Sequence, residues 1–184
     1  TRVFEGGKQE FFDLSGRLIR VQEKSGLFIA LSYKNNLLER LTDNQNRKMQ
    51  FSFNSKKLVE KIMLDGGKFS SYKYNAQDEL TSSKDMEGNT YTYSYSPDAR
   101  HNLTQVGYSD GTKMQISYYG KDLYENVKSV TDKDGSSTEY GYVFKNGKFH
   151  FVVSVTLKDR KGKAFANQSY EYWLAMNQSG EEYT

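Results

Sequence analysis

The amino-acid sequence is dominated by a repeat. Seven segments end in two large apolar residues spaced i, i+2, and the second members lie 20, 21, 21, 23, 24 and 30 residues apart. The pairs are Leu31/Tyr33, Phe51/Phe53, Tyr72/Tyr74, Tyr93/Tyr95, Ile116/Tyr118, Tyr140/Tyr142 and Tyr170/Tyr172. A period of this size is typical of repeat architectures, in which each repeat buries its apolar surface only against its neighbours.

A turn-forming residue precedes each pair at a nearly fixed distance. It lies seven residues before the second member in six repeats and ten before it in the last. These residues are Gly26, Asn46, Gly67, Gly88, Gly111, Gly135 and Gly162. Between turn and pair, apolar and polar residues alternate, as in Tyr91, Tyr93 and Tyr95. Alternation with a period of two predicts a strand with one apolar face, and therefore a β-hairpin in each repeat.

A weaker strand lies ahead of each turn. Its apolar residues are spaced three apart, at Leu18/Val21, Leu38/Leu41, Leu103/Val106 and Val127/Val130. This spacing does not fit one face of a strand, so it indicates either a β-bulge or a leucine within the preceding turn. The third and fourth repeats interrupt the pattern with Lys61 and Ser83.

We therefore predict an all-β fold in which tandem antiparallel hairpins form one long sheet over residues 1–184. About seven repeats give about 14 strands, more than an open sheet usually holds without curling, so the sheet is expected to curve or spiral. The predicted hairpins are residues 12–33, 33–53, 53–74, 74–95, 95–118, 118–142 and 142–172, and residues 173–184 begin the next repeat or form a tail.

The segment 12–18 reads Phe-Asp-Leu-Ser-Gly-Arg-Leu and is followed by Val21, Gly26 and Tyr33. It resembles the RHS/YD repeat, which reads approximately Tyr-Asp-x-x-Gly-Arg-Leu, then a turn, then Tyr-x-Tyr. The resemblance implies a segment of a secreted or cell-surface bacterial protein that forms the wall of a shell around a toxin or other cargo. Teneurins, the animal members, use such a shell in cell adhesion.

Composition excludes several classes of function. The net charge is +3, from 26 basic and 23 acidic residues without a long run of one sign, and this does not predict a nucleic-acid partner. The chain has no cysteine for a thiolate site. No apolar stretch approaches the ~20 residues that span a bilayer, so membrane insertion is not expected.

Candidate chemical sites are weak. His101 and His150 lack a second histidine at ligand spacing, and Asp132-x-Asp134-Gly135 reads as a hairpin turn rather than a calcium loop. We predict no catalytic residue, metal or cofactor, and no enzyme activity. The alternative function is an adhesin-type module that contacts glycans or a partner protein. Trp173 is the aromatic residue whose exposure would favour this alternative. Expected partners are the neighbouring repeats and other copies of the chain, through exposed strand edges.

Overall fold

The computed structural model describes residues 1–98, 101–120, 126–146 and 150–173. Of the predicted tail or next repeat at 173–184, only Trp173 lies within the described residues. The described residues are all-β and contain no helix, and hence no helix that could cross a membrane. Sixteen strands form one open antiparallel sheet in which the strand order follows the sequence order. The predicted fold class is confirmed.

The strands are short and regular until the last three, which are longer. They are β1 (Arg2–Val3), β2 (Gln9–Phe12), β3 (Leu18–Gln22), β4 (Phe28–Lys34), β5 (Leu37–Asp43), β6 (Lys48–Phe53), β7 (Val59–Leu64), β8 (Phe69–Tyr74), β9 (Leu80–Lys84), β10 (Thr90–Tyr95), β11 (Leu103–Gly107), β12 (Lys113–Tyr118), β13 (Val127–Thr131), β14 (Ser137–Asn146), β15 (His150–Lys158) and β16 (Ala164–Trp173). The two strands beyond the predicted number are β1 and β2. Gln9–Phe12 lacks the alternation that marks the other strands.

Backbone packing divides the chain into two compact regions, residues 1–90 and residues 91–184. We call them the N-terminal and C-terminal regions and describe each by itself. Both are built from antiparallel hairpins that pair with the next hairpin along the chain.

The spacing of three in the weaker strands comes from a β-bulge. Ser32 pairs with Arg40, but the next residue, Tyr33, pairs with Leu38, so Glu39 is an extra residue in β5. The same irregularity occurs at Ile19, Glu60, Thr81, Thr104 and Lys128. The extra residue shifts the alternation of side chains by one position, so apolar residues three apart lie on the same side of the sheet.

The bulge corrects one reading of the sequence. Lys61 does not interrupt the apolar pattern in the third repeat, because the equivalent pair there is Val59 and Ile62, placed on either side of the bulge residue Glu60. In the fourth repeat the equivalent positions are Leu80 and Ser83, so the pattern is interrupted there.

Each region has a polar face and an apolar face. In the N-terminal region the polar face holds Arg20, Ala30, Ser32, Arg40, Gln50, Ser52 and Lys61, and the apolar face holds Val21, Ile29, Leu31, Leu41, Met49, Phe51 and Ile62. In the C-terminal region the polar face holds Ser94, Gln105, Gln115, Ser117, Ser129 and Glu139. The apolar face there holds Tyr93, Val106, Met114, Ile116, Val130 and Tyr140. No described residue is fully buried. Side chains therefore pack against neighbours on their own face and not within a closed core.

Candidate functional site

In several repeats the tyrosine at the second position of the pair closes the open end of its hairpin. The hydroxyl of Tyr33 donates a hydrogen bond of 2.8 Å to the carbonyl of Leu18, the residue directly before the bulge residue. The same bond joins Tyr74 to Val59 at 2.8 Å, Tyr118 to Leu103 at 2.8 Å, and Tyr142 to Val127 at 3.1 Å. The hydroxyl thus gives a hydrogen-bond partner to a backbone carbonyl directly beside the bulge, where the regular ladder is interrupted. We call this bond the tyrosine clasp.

Burial raises the pKa of three clasp tyrosines, Tyr74, Tyr118 and Tyr142. In Tyr142 the nearby Tyr140 and Tyr119 raise it further. The second hairpin has Phe53 in the clasp position, where there is no hydroxyl to donate. This hairpin is a natural version of the fold without the clasp.

The other predicted aromatic residues lie on the apolar faces. Phe51 pairs with Ile62, Tyr72 with Ser83, Tyr93 with Val106 and Tyr140 with Val155, and all four aromatic rings are half-buried. The last pair differs, because Tyr170 and Tyr172 are both exposed. Tyr172 stacks on Phe151, with 5.1 Å between ring centroids.

The predicted turn residues share one conformation. Each has a positive φ, and each backbone N–H donates to the carbonyl three residues earlier, as Gly111 does to Tyr108 at 3.0 Å. The others are Gly26, Asn46, Gly67, Gly88, Gly135 and Gly162. The same position in other turns is held by Gly16, Lys57 and Asp78.

A side chain at the first position fastens many of these turns. Oδ1 of Asp13 accepts the N–H groups of Ser15 at 2.9 Å and Arg17 at 3.0 Å. The same pair of bonds forms at Asp43, Asn54, Asn75, Asp85 and Asp159. Hydrogen bonds from the backbone and side chain of Arg17 lower the pKa of Asp13. Sequence reasoning missed Lys57 and Asp78, although Asn54 and Asn75 three residues earlier signal those turns.

The Asp-x-x-Gly-Arg motif joins this turn to its surroundings. Nε of Arg17 donates to Oδ2 of Asp13 at 2.7 Å, and another guanidinium nitrogen donates to Asn36, in the turn between β4 and β5, at 3.0 Å. The Arg17 guanidinium also lies 5.2 Å from the ring centroid of the clasp residue Tyr33. The turn Asn35-Asn36, with φ of 50° and 64°, is a two-residue hairpin turn that the sequence reading did not identify.

The apolar face of the N-terminal region contains a hollow of about 380 Å³. Ile29, Leu41, Met49 and Leu64 form its apolar lining, and charged side chains from the adjoining turns form its rim. Ile29 is 47% exposed. The hollow is an open apolar surface with a charged rim.

Near the end of the described chain, four side chains meet on the polar face. The rings of His150 and Trp173 stack with 3.5 Å between centroids, and Trp173 remains 72% exposed. Glu171 Oε1 lies 2.6 Å from His150 Nε2 and 3.0 Å from Lys145 Nζ. These two hydrogen bonds lower the pKa of Glu171. His101 does not belong to this group, and no group of three potential metal ligands occurs among the described residues.

Residues 74–113 match the RHS repeat family. The chain carries an RHS repeat. This RHS repeat begins at the clasp residue Tyr74 and includes the Asn75 turn, the Thr81 bulge and the Asp85 turn, all of which recur elsewhere in the chain. No curated protein sequence matches the chain at a significant level.

Solved structures show the same fold. The chain is similar to TcdB2–TccC3 without its hypervariable C-terminal region, with a TM-score of 0.55, 13% identity, and coverage of 91% of this chain and 12% of that one. The Photorhabdus luminescens Tc holotoxin pore with a TccC3 mutation gives a TM-score of 0.53 at 13% identity, with coverage of 90% of this chain and 11% of that one. TcdB2–TccC3–Cdc42 gives a TM-score of 0.53 at 13% identity, with coverage of 91% of this chain and 12% of that one. The chain thus spans about an eighth of the length of these proteins, and at this identity the likeness concerns the fold.

Proposed function

We propose that the chain is a section of the wall of an RHS-type shell that encloses a toxin or other cargo, in a secreted or cell-surface bacterial protein. The observation that carries the proposal is the fold likeness to TcdB2–TccC3 over 91% of the chain. The RHS repeat at residues 74–113 supports it independently.

The internal construction fits a wall. Clasps, bulges and side-chain-fastened turns all act within one hairpin or between neighbouring hairpins. The stability of the sheet is therefore approximately the sum of these local contributions. Such a sheet needs no central core, and it leaves one apolar face free to meet enclosed material. The role is structural, and we propose no enzyme activity for it.

The test uses the full-length protein that contains this chain. We expect electron microscopy to show a hollow particle, and limited proteolysis to reveal a segment outside residues 1–184 that resists cleavage. The variant Tyr93→Ala, which removes an aromatic ring from the apolar face, should expose that segment, while the matched variant Thr92→Ala on the polar face should not. A particle without a cavity, or a protein without a protected segment, would refute the proposal.

A second candidate function is a glycan-binding adhesin, and the exposure of Trp173 favours it. Exposed aromatic rings next to hydrogen-bonding side chains suit sugar rings, and His150, which stacks on Trp173, is hydrogen-bonded to Glu171. Because the chain has a single tryptophan, fluorescence excited at a wavelength that its 15 tyrosines do not absorb reports on Trp173 alone. Titration with oligosaccharides should shift the emission if glycans bind here, and unchanged emission across the panel would exclude the site.

For the partners, we propose the neighbouring repeats of the full-length protein and, for the isolated chain, further copies of itself. A strand at the edge of a sheet offers unpaired N–H and C=O groups to another strand. Sedimentation equilibrium of the isolated chain checks this, and a monomer at high concentration would contradict it.

A further inference from the structure

One row of side chains on the polar face of the N-terminal region is positively charged in three successive hairpins. Arg20, Arg40 and Lys61 occupy the same position in β3, β5 and β7, directly after the bulge residue. The pairing register places them on one face: Arg20 pairs with Ala30, Ser32 with Arg40, Arg40 with Gln50, and Ser52 with Lys61. We call these three residues the cationic row.

The cations of this row have no acidic partner. None of the three forms an ion pair with a carboxylate among the described residues, and this includes Glu39 and Glu60 in the adjacent bulges. Nε of Arg20 and Nε of Arg40 are buried without a hydrogen-bond partner, and a terminal nitrogen of Arg20 donates to Gln22 at 2.7 Å. A guanidinium binds a carboxylate through charge-assisted hydrogen bonds from its terminal nitrogens.

Aromatic rings hold two of the cations in place. The guanidinium carbon of Arg20 lies 3.9 Å from the ring centroid of Phe28 and 5.8 Å from that of Phe11. Lys61 Nζ lies 4.3 Å from the ring centroid of Phe69, which is 38% exposed. Phe28 and Phe69 therefore place apolar surface beside two of the three cations on this face. That mixture fits a ligand that carries both carboxylates and aliphatic side chains, and a polypeptide has both whereas an anionic polysaccharide lacks the second.

The spacing of the row also fits a polypeptide. Its members lie two strands apart, and neighbouring strands are ~4.8 Å apart, so a positive charge recurs about every 10 Å. A polyproline II segment has 3 residues per turn and rises ~3.1 Å per residue, so every third side chain returns to the same side after ~9 Å. An acidic residue at every third position would meet each cation in turn.

From the register, the unpaired charge and the spacing, we propose that the cationic row binds an extended acidic polypeptide segment lying across the strands, with apolar residues between its carboxylates. The equivalent positions in the next three hairpins are the neutral residues Ser82, Gln105 and Ser129. Binding is thus restricted to the first part of the array. The inference concerns this face alone and does not depend on the shell role.

The first test is fluorescence anisotropy with the chain and three labelled probes. They are a peptide of Glu-Pro-Leu repeats, the same peptide with Gln in place of Glu, and a sulfated oligosaccharide of matched charge. We expect the Glu peptide to bind, the Gln peptide to bind at least about tenfold more weakly, and added salt to weaken the Glu complex. No binding of the Glu peptide, equal binding of both peptides, or binding of the oligosaccharide alone would overturn the proposal.

The second test locates the site. Arg40→Gln removes the central cation and should weaken the Glu peptide about tenfold, or 1.4 kcal/mol. Lys68→Gln removes the same charge from an exposed turn and should change the affinity less than about twofold. Thermal melting checks that both variants fold, and Lys61→Gln replaces Arg40→Gln if that variant does not. Equal losses at the row and at Lys68 would mean non-specific attraction and would overturn the proposal.

Discussion

The N-terminal and C-terminal regions share a backbone plan but differ in what their polar faces carry. Arg20, Arg40 and Lys61 are cations without acidic partners in the first region. In the second, Ser117 and Ser129 form a hydroxyl pair at 2.7 Å, and Lys158 is paired with Glu139 at 2.5 Å. Clasps and side-chain-fastened turns occur in both regions. The backbone pairing, clasps and turns therefore do not depend on the side chains of the polar face, and these side chains can differ between hairpins.

The strongest test of this division compares the two faces of one strand. We expect Tyr93→Ala to destabilise the chain by about 2 kcal/mol, less than the 3–5 kcal/mol typical of a fully buried aromatic, because Tyr93 is half-buried. Thr92→Ala, on the polar face, should stay within about 0.5 kcal/mol. Thermal melts measure both, and similar losses would mean that the polar face also contributes to the fold.

The next test asks whether the clasp is equivalent in the two regions. Tyr74→Phe and Tyr118→Phe each remove one hydroxyl and leave a carbonyl without its donor, so each should cost about 1 kcal/mol. Phe53→Tyr should add a clasp and stabilise the second hairpin by about 0.5 kcal/mol. Denaturant unfolding gives all three values. Clearly different losses of unfolding free energy at Tyr74 and Tyr118 would show that the clasp does not stabilise the two regions equally.

A smaller effect is expected at the turns. Lys57 has a φ of 65° in the N-terminal region, a conformation that is unfavourable for a residue with a side chain, so Lys57→Gly should stabilise by roughly 0.5–1 kcal/mol. Gly111 has a φ of 82° in the C-terminal region, and Gly111→Ala should destabilise by a similar amount. Opposite signs in thermal melts are the expected result. A loss of stability in both variants would show that Lys57 makes contacts that outweigh its backbone strain.

The smallest effect is the dependence on pH. The raised pKa of the clasp tyrosines means that the folded state favours the neutral phenol, so their contribution is complete below about pH 10 and is lost as the pH rises further. The lowered pKa of Asp13 and of Asp85 acts at the other end, where stability is lost as the pH falls below about 4. Melting temperature against pH checks both limbs. In Tyr118→Phe the alkaline loss should be smaller than in the parent chain.

The repeat and its hairpins were predictable because apolar alternation and turn residues are local signals. The choice between bulge and turn at Leu18/Val21 was not, since both produce a spacing of three, and only the pairing register distinguishes them. The clasp left no signal, because its acceptor is a backbone carbonyl and every residue has one. The cationic row was hidden for a different reason: charges about 20 residues apart disappear in a composition that is mixed overall.

The tyrosine clasp also locates the variation in repeat length. Hydroxyl and acceptor are 15 residues apart in each of the clasps at Tyr33, Tyr74, Tyr118 and Tyr142. The connection from the clasp position to the next acceptor position instead grows, from five residues between Tyr33 and Leu38 to nine between Tyr118 and Val127. The hairpins that carry these clasps are therefore units of constant length, joined by connections of variable length. Insertions can therefore accumulate in these connections without disturbing the pairing register within a hairpin.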